Sequence, residues 1–180
     1  MKRHFHRVVF AAAALLVMAA PIFAQFGNVG DLNTWTVKPV SRDRAPSSEN
    51  TYVKTVRADR QHDFDRLVFE FEGAFPHYRI EYLKSRFYDS EGGRHRIRTA
   101  GRVFLHLSFL QVPADDRQVN LTQAKGFVPK GKLRLPTLWS VDGVELFEGV
   151  YDFLAGVNAR RPFRVTELSN PNRLVIDFKH

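Results

Sequence analysis

The sequence predicts an all-β fold, a pseudo-symmetric β-sandwich of two small sheets with little helix. Three observations predict it. Apolar and polar residues alternate over several short stretches, the period of a half-buried strand. Clusters of Gly, Pro, Asn and Ser separate those stretches at short intervals. Apolar spacing suited to a long amphipathic helix is absent, and short strands between regular turns close into a sandwich or barrel.

The chain has 180 residues, and the first 24 read as a leader. "MKRHFHR" is basic, and "VVFAAAALLVMAAPIFA" follows as an apolar run of 17 residues ending in small residues at Ala24. This is the pattern of a secretory signal. The run includes Pro21 and is short for a spanning helix, so a retained anchor is the secondary expectation. On either reading the protein is exported, to the periplasm or beyond, with no stable membrane span once the signal is removed. Residues 25–50, with "VKPVSRDRAPSSEN", read as a flexible linker, although "TWTVKPV" around Trp35 has the composition to join a sheet edge. Residues 51–180 form the remaining domain.

Within that domain "TYVKTVRADR" favours a strand by composition. "DRLVFEFEG" places Leu67, Phe69 and Phe71 on one face and Val68, Glu70 and Glu72 on the other, and Gly73 ends it. "PHYRIEYL" alternates again, and the intervening "GAFP" predicts a hairpin between the two. "SEGGR" is a turn leading to "HRIRTAG" and "RVFLHLSFL". Residues 111–136 are polar and proline-containing, a long surface excursion. In "TLWSVDGVELFEGVYDFLAGV" a helix over 144–154 competes with two or more short strands, and the glycines and β-branched residues favour strands. "RPFRVTEL" and "NRLVIDF" close the chain as a pair of strands around the turn "SNPN".

Two segments are written almost twice. "DRLVFEF" (65–71) matches "NRLVIDF" (172–178) position by position, and "YRIEYL" (78–83) matches "FRVTEL" (163–168). The order of the two is reversed between the halves, which rules out a simple tandem repeat. The expectation is one hairpin of the same character in each sheet, with the matched strands equivalent in the core.

Composition limits the chemistry. There is no cysteine, which excludes disulfides, thiolate metal sites, a cysteine nucleophile and a lipid-bearing cysteine after the leader. Loss of Lys2, Arg3 and Arg7 with the leader leaves 24 basic against 19 acidic residues, a net charge of +5. In an exported protein that balance favours anionic wall polymer, glycan or lipid head groups over nucleic acid, or serves solubility alone. The histidines show no paired metal-ligand spacing. "HDFD" (62–65) brings His62, Asp63 and Asp65 close enough to hold a cation, against the plainer reading of a solvated turn. No serine elbow occurs, and "GFVPKGK" lacks phosphate-loop spacing. Glu70 and Asp177, at matching positions of the repeated strands, have the residue type of a carboxylate pair, but cross-strand pairing with arginine is the simpler role. No catalytic residue, metal or cofactor is therefore assigned.

The segments "DFDRLVFEFEG", "PHYRIEYL" and "RRPFRVTELSNPNRLVIDF" resemble the AMIN-like domain of exported bacterial proteins, a relative of the AMIN domain attached to cell-wall amidases and secretins. The resemblance spans roughly residues 53–179 and is weakest over 86–136. It implies a β-sandwich with a non-catalytic envelope-targeting role and peptidoglycan as the ligand. The enzyme or pore module that usually accompanies such domains is not recognisable in this sequence.

Arginines set among aromatic residues supply a candidate binding surface: Arg57, Arg60, Tyr78, Arg79, Arg160, Arg161, Phe163 and Arg164. Guanidinium forks match carboxylates and phosphates, and aromatic faces stack on sugars. The leading expectation is an envelope-polymer binder, with peptidoglycan or another anionic polymer as partner. The alternatives are an adaptor docking on an envelope protein through a strand edge, and a small carboxylate-dependent hydrolase.

Overall fold

The alternation in the sequence becomes two facing antiparallel sheets. The computed structural model describes residues 27–45, 47, 49–90, 93–110, 133, 135–147 and 149–180. The expected leader, and the 111–136 excursion apart from residues 133, 135 and 136, lie outside the described residues.

Eleven strands follow one another: β1 (Val40–Arg42), β2 (Tyr52–Arg60), β3 (Phe64–Glu72), β4 (His77–Tyr82), β5 (Phe87–Ser90), β6 (Gly93–Arg96), β7 (Val103–Leu110), β8 (Leu138–Phe147), β9 (Val150–Val157), β10 (Phe163–Leu168) and β11 (Arg173–Lys179). There is no helix among the described residues. One sheet has five strands in the order β1-β4-β7-β9-β8, the other four in the order β10-β11-β3-β2, and β5 and β6 form a separate hairpin. The ambiguous 137–157 stretch is the β8–β9 hairpin.

Each main sheet turns one face inward, as sandwich sheets do. Leu67, Phe69 and Phe71 of β3 and Leu174, Ile176 and Phe178 of β11 are buried against Leu105, Leu107 and Phe109 of β7 and Phe153 and Ala155 of β9. Phe69 sits at the centre, with ring centroids 5.1 Å from Phe109 and 4.9 Å from Phe153, both edge-on. That geometry suits the aromatic quadrupole and adds to the burial of large apolar area.

Three expectations about connectivity change. "GAFP" does not close a hairpin. β3 and β4 lie in different sheets, so residues 73–76 carry the chain across the sandwich. Gly73 leaves β3 at φ 84, and a Cβ there would come within 2.0 Å of the Asn50 carbonyl oxygen, so the crossing needs glycine. Nor do the matched strands occupy opposite sheets. β3 and β11 are antiparallel neighbours in the four-stranded sheet, related by a local two-fold at Val68↔Val175. That symmetry sets Arg66 opposite Asp177 and Arg173 opposite Glu70. The turn at "SNPN" does close a hairpin, β10–β11, with a cis Asn170–Pro171 bond.

The third change concerns residues 27–45, which are structured rather than a bare linker. β1 pairs with β4 on one sheet, and Val29 bridges Ser41 on the far side of β1. Thr36 exchanges both backbone hydrogen bonds with Phe163 of β10, and Asn33 N donates to Val165 O, on the other sheet. The arm therefore covers one edge of each sheet along the same flank, a means of satisfying edge backbone groups.

Candidate functional site

The register brings a set of cations to one end of the sandwich. β10 begins there opposite the last residues of β11, β3 begins opposite Lys179, and β2 ends with Arg60 opposite Asp65. The five-stranded sheet contributes the start of β7 beside Arg102, and the end of β9. Two cross-sheet contacts tie this end together. Tyr82 of β4 donates its hydroxyl proton to Arg161 O at 2.6 Å. Asp65 of β3 accepts from the Thr137 and Leu138 amides at 2.6 and 2.8 Å.

The loop from β9 to β10 carries Arg160 and Arg161. A tight turn closes it, with Arg161 N donating to Ala159 O, and Lys179 N holds Pro162 O. Beneath it Tyr82 and Phe163 are buried and meet edge-on at 5.7 Å. Burial pushes the Tyr82 phenol up to about 12, so it remains a donor throughout the physiological range. The Arg160 guanidinium lies 5.2 Å over the Tyr82 ring and donates to Val37 O at 3.3 Å. Arg161 is exposed and makes no ion pair with a described residue. Arg60, Arg102 and Lys179, also exposed, complete the end. What the loop offers is one guanidinium, that of Arg160, seated over an aromatic ring, and a second, that of Arg161, exposed on a backbone that is itself held.

The other residues of the predicted surface lie elsewhere. Tyr78 is wholly buried and reaches across the sandwich to donate to Glu167 Oε1 at 2.7 Å, and Arg44 binds the same oxygen. Burial raises its phenol far above the ordinary value. Phe163 is core. Arg79 forks onto Glu81 at 2.8 and 2.9 Å, which holds that carboxyl below its ordinary range. Arg57 lies 3.4 Å from Glu70. Arg164 binds Asp177 at 2.6 Å and lies 4.7 Å over Trp35. The eight residues thus do not form one surface, and Arg60, Arg160 and Arg161 are the three brought to the basic end.

Asp177 anchors a second cluster that the sequence did not announce. It is 1 % exposed, held by Arg66 at 2.7 and 3.0 Å as well as by Arg164. Both guanidiniums lie over the Phe64 ring, at 5.1 and 5.6 Å. The cluster fastens Trp35, and with it the arm, onto the outer face of the four-stranded sheet. Glu70 is likewise engaged by Arg57, so both carboxylates of the matched strands are held by arginine. His62 and Asp63 pair at 2.6 Å in solvent, while Asp65 points inward to the amides already named and to His180 at 2.9 Å. The "HDFD" residues therefore do not converge, and among the described residues no group of three or more His, Asp or Glu is placed to hold a metal. His106 of β7 pairs with Asp152 of β9 at 3.0 Å on the outer face of the five-stranded sheet.

Sequence signals existed for some of these contacts. Arg79 and Glu81 stand two apart on a strand and so share a face. Arg164 and Asp177 become neighbours once "SNPN" sets the register of its hairpin.

Compared with known proteins, the chain matches the model of the AMIN-like domain family over residues 51–180. No curated protein and no solved structure matches it. The arm over residues 27–45 precedes the matched region.

Proposed function

The chain belongs to the AMIN-like domain family, generally non-catalytic domains associated with the cell wall and envelope, and we propose on that premise that it is an exported domain binding peptidoglycan through its basic end. Arg160 and Arg161 carry the interaction, with Arg60 at the same end of the sheet but beyond β11 and β3, the two strands between. Their guanidiniums take carboxylates of the wall's peptide stems as bidentate pairs. The observation that carries this reading is the β9–β10 loop itself. Its backbone is pinned by Tyr82 and Lys179 while its arginines make no ion pair with a described residue. A held backbone and a seated Arg160 reduce the entropy lost on binding.

Retention on insoluble wall sacculi tests it. The full chain is retained at low salt and released as salt rises, because exposed charge pairs are screened. Replacing Arg160 and Arg161 by alanine reduces retention at low salt by about tenfold, the effect of losing roughly 1.4 kcal/mol. Undiminished retention of that variant refutes the assignment to this loop.

The adaptor reading falls on β2, the outer strand of the four-stranded sheet on the flank away from the arm. A bulge between Val53 and Thr55 and the exposed Lys54, Arg57, Asp59 and Arg60 blunt that edge, which favours the polymer reading over strand addition.

A further inference from the structure

We propose that the β5–β6 hairpin is a separate docking site for a negatively charged lipid surface. Residues 84–102 hold six cations, Lys84, Arg86, Arg94, Arg96, Arg98 and Arg102, against two acids, Asp89 and Glu91. That local net of +4 accounts for most of the +5 left once the leader's three cations are set aside. All six cations are exposed and none forms an ion pair with a described acid, although Arg94 stands opposite Asp89 in the ladder and Lys84 lies near enough to Glu81 to favour its charged form. Arginines elsewhere, such as Arg66, Arg79 and Arg164, are matched to carboxylates. Among the described residues the hairpin region is thus a second place, besides the basic end, where exposed cations lack an ion pair.

Its two faces differ. The ladder pairs Tyr88 with His95 and Phe87 with Arg96. Tyr88 stacks on His95 and packs toward Ile97, Phe104 and Leu154, a small cluster on the outer face of the five-stranded sheet. A two-stranded hairpin has little stability alone, and this cluster supplies the anchor. The opposite face presents Phe87, 41 % exposed, with the Arg94 guanidinium 4.8 Å over its ring. Arg94 already occupies one face of that ring, which leaves less of it for a sugar to stack on. An apolar ring rimmed by cations suits head-group depth, where aromatic side chains and Lys/Arg both partition. Arg102 borders the basic end as well and the test leaves it unaltered, while Lys84, Phe87, Arg96 and Arg98 lie outside the β9–β10 loop, so this inference and the wall-binding reading can fail separately.

The test is co-sedimentation of the full chain with vesicles of phosphatidylglycerol and phosphatidylcholine, against phosphatidylcholine alone. Any contribution of residues 1–24 is common to every variant. The wild type partitions onto the anionic vesicles at low salt, far less onto neutral ones, and leaves as salt rises. Lys84, Arg96 and Arg98 have no side-chain hydrogen bond or ion pair to a described residue, so K84Q/R96Q/R98Q leaves the fold intact, checked by circular dichroism. It lowers partitioning by about fivefold per cation, roughly a hundredfold in all, and leaves sacculus retention unchanged. Phe87→Ser lowers partitioning severalfold without changing the salt dependence. Equal binding to neutral and anionic vesicles overturns the proposal, as does a triple variant that partitions like the wild type. Soluble polyphosphate that binds wild type and Phe87→Ser alike, while the vesicles bind neither, reassigns the hairpin to a soluble polyanion and also overturns it.

Discussion

Replacing Asp65 by alanine should unfasten the end of the sandwich that carries the arginine loop. The Asp65 side chain is fully buried, and its Oδ2 accepts from two backbone amides, Thr137 N and Leu138 N, where the chain enters β8. His180 Nε2 lies 2.9 Å from the other oxygen. Alanine leaves both buried amides without a partner, at about 1–3 kcal/mol each. The loss is roughly 2–6 kcal/mol, against a stability of about 5–15 kcal/mol for an ordinary domain. With a urea slope of about 2 kcal/mol/M, the unfolding midpoint falls by roughly 1–3 M at unchanged slope. Asp65→Asn keeps an oxygen that can accept both amides, so it loses less than half as much. Hydrogen exchange at residues 137 and 138 should accelerate in the alanine variant before exchange elsewhere. A midpoint shift worth less than about 1 kcal/mol in Asp65→Ala would show that water replaces the carboxylate, and that the fastening is not needed.

Two further predictions concern titration. Tyr82 and Tyr151 are pushed up to about 12 by burial, and Tyr78 further still. Their neutral forms are favoured by folding, so that stability is present below the unfolded value of about 10 and is lost as pH rises above it. Phenolate absorbance from these residues and loss of the strand circular-dichroism signal should rise together above about pH 11; full phenolate absorbance with the strand signal intact argues against the burial described. Arg79 holds the Glu81 carboxyl below 4.5, so their pairing contributes above that value and fades as pH falls through the folded midpoint. In Arg79→Ala the Glu81 midpoint, followed by carboxyl NMR, should return toward 4.5; no movement means that another group sets it.

Local pattern made the strands legible, while long-range register hid their partners. Leu67, Phe69 and Phe71 announce β3 because a half-buried strand must alternate. The turn chemistry of "GAFP" says only that the chain bends, and both Phe71 and Tyr78 point inward whether it folds back or crosses to the other sheet. The matched segments pair with each other because the pattern Arg-apolar-apolar-apolar-acid is self-complementary when run antiparallel. Of the arm only "TWTVKPV" is legible as a segment that could join a sheet edge, as Thr36 does beside Phe163; the rest holds mostly by backbone hydrogen bonds, which any sequence can make. At the basic end, the cations could be read from the chain, but their freedom could not. Whether an arginine is available depends on which acid the sheet register brings to it, as Asp177 is brought to Arg164 and, among the described residues, none to Arg161. The cation-dense run 84–98 was equally visible, but no periodicity distinguishes a hairpin lying on a sheet from a loop.

The position of β11 has a consequence for how the molecule is made. It is an inner strand of its sheet, yet the last of the described strands to leave the ribosome. Until Arg173–Lys179 has emerged, β2 and β3 are an isolated hairpin and β10 has no partner beyond the arm. Such a hairpin is marginal in water, and pairing across about a hundred residues is slow because loop closure precedes any reward. The strands of the five-stranded sheet are all made by Val157, so the nascent chain can complete one sheet while the other waits for its last described strand. The sandwich therefore closes only when synthesis of the described strands is nearly done.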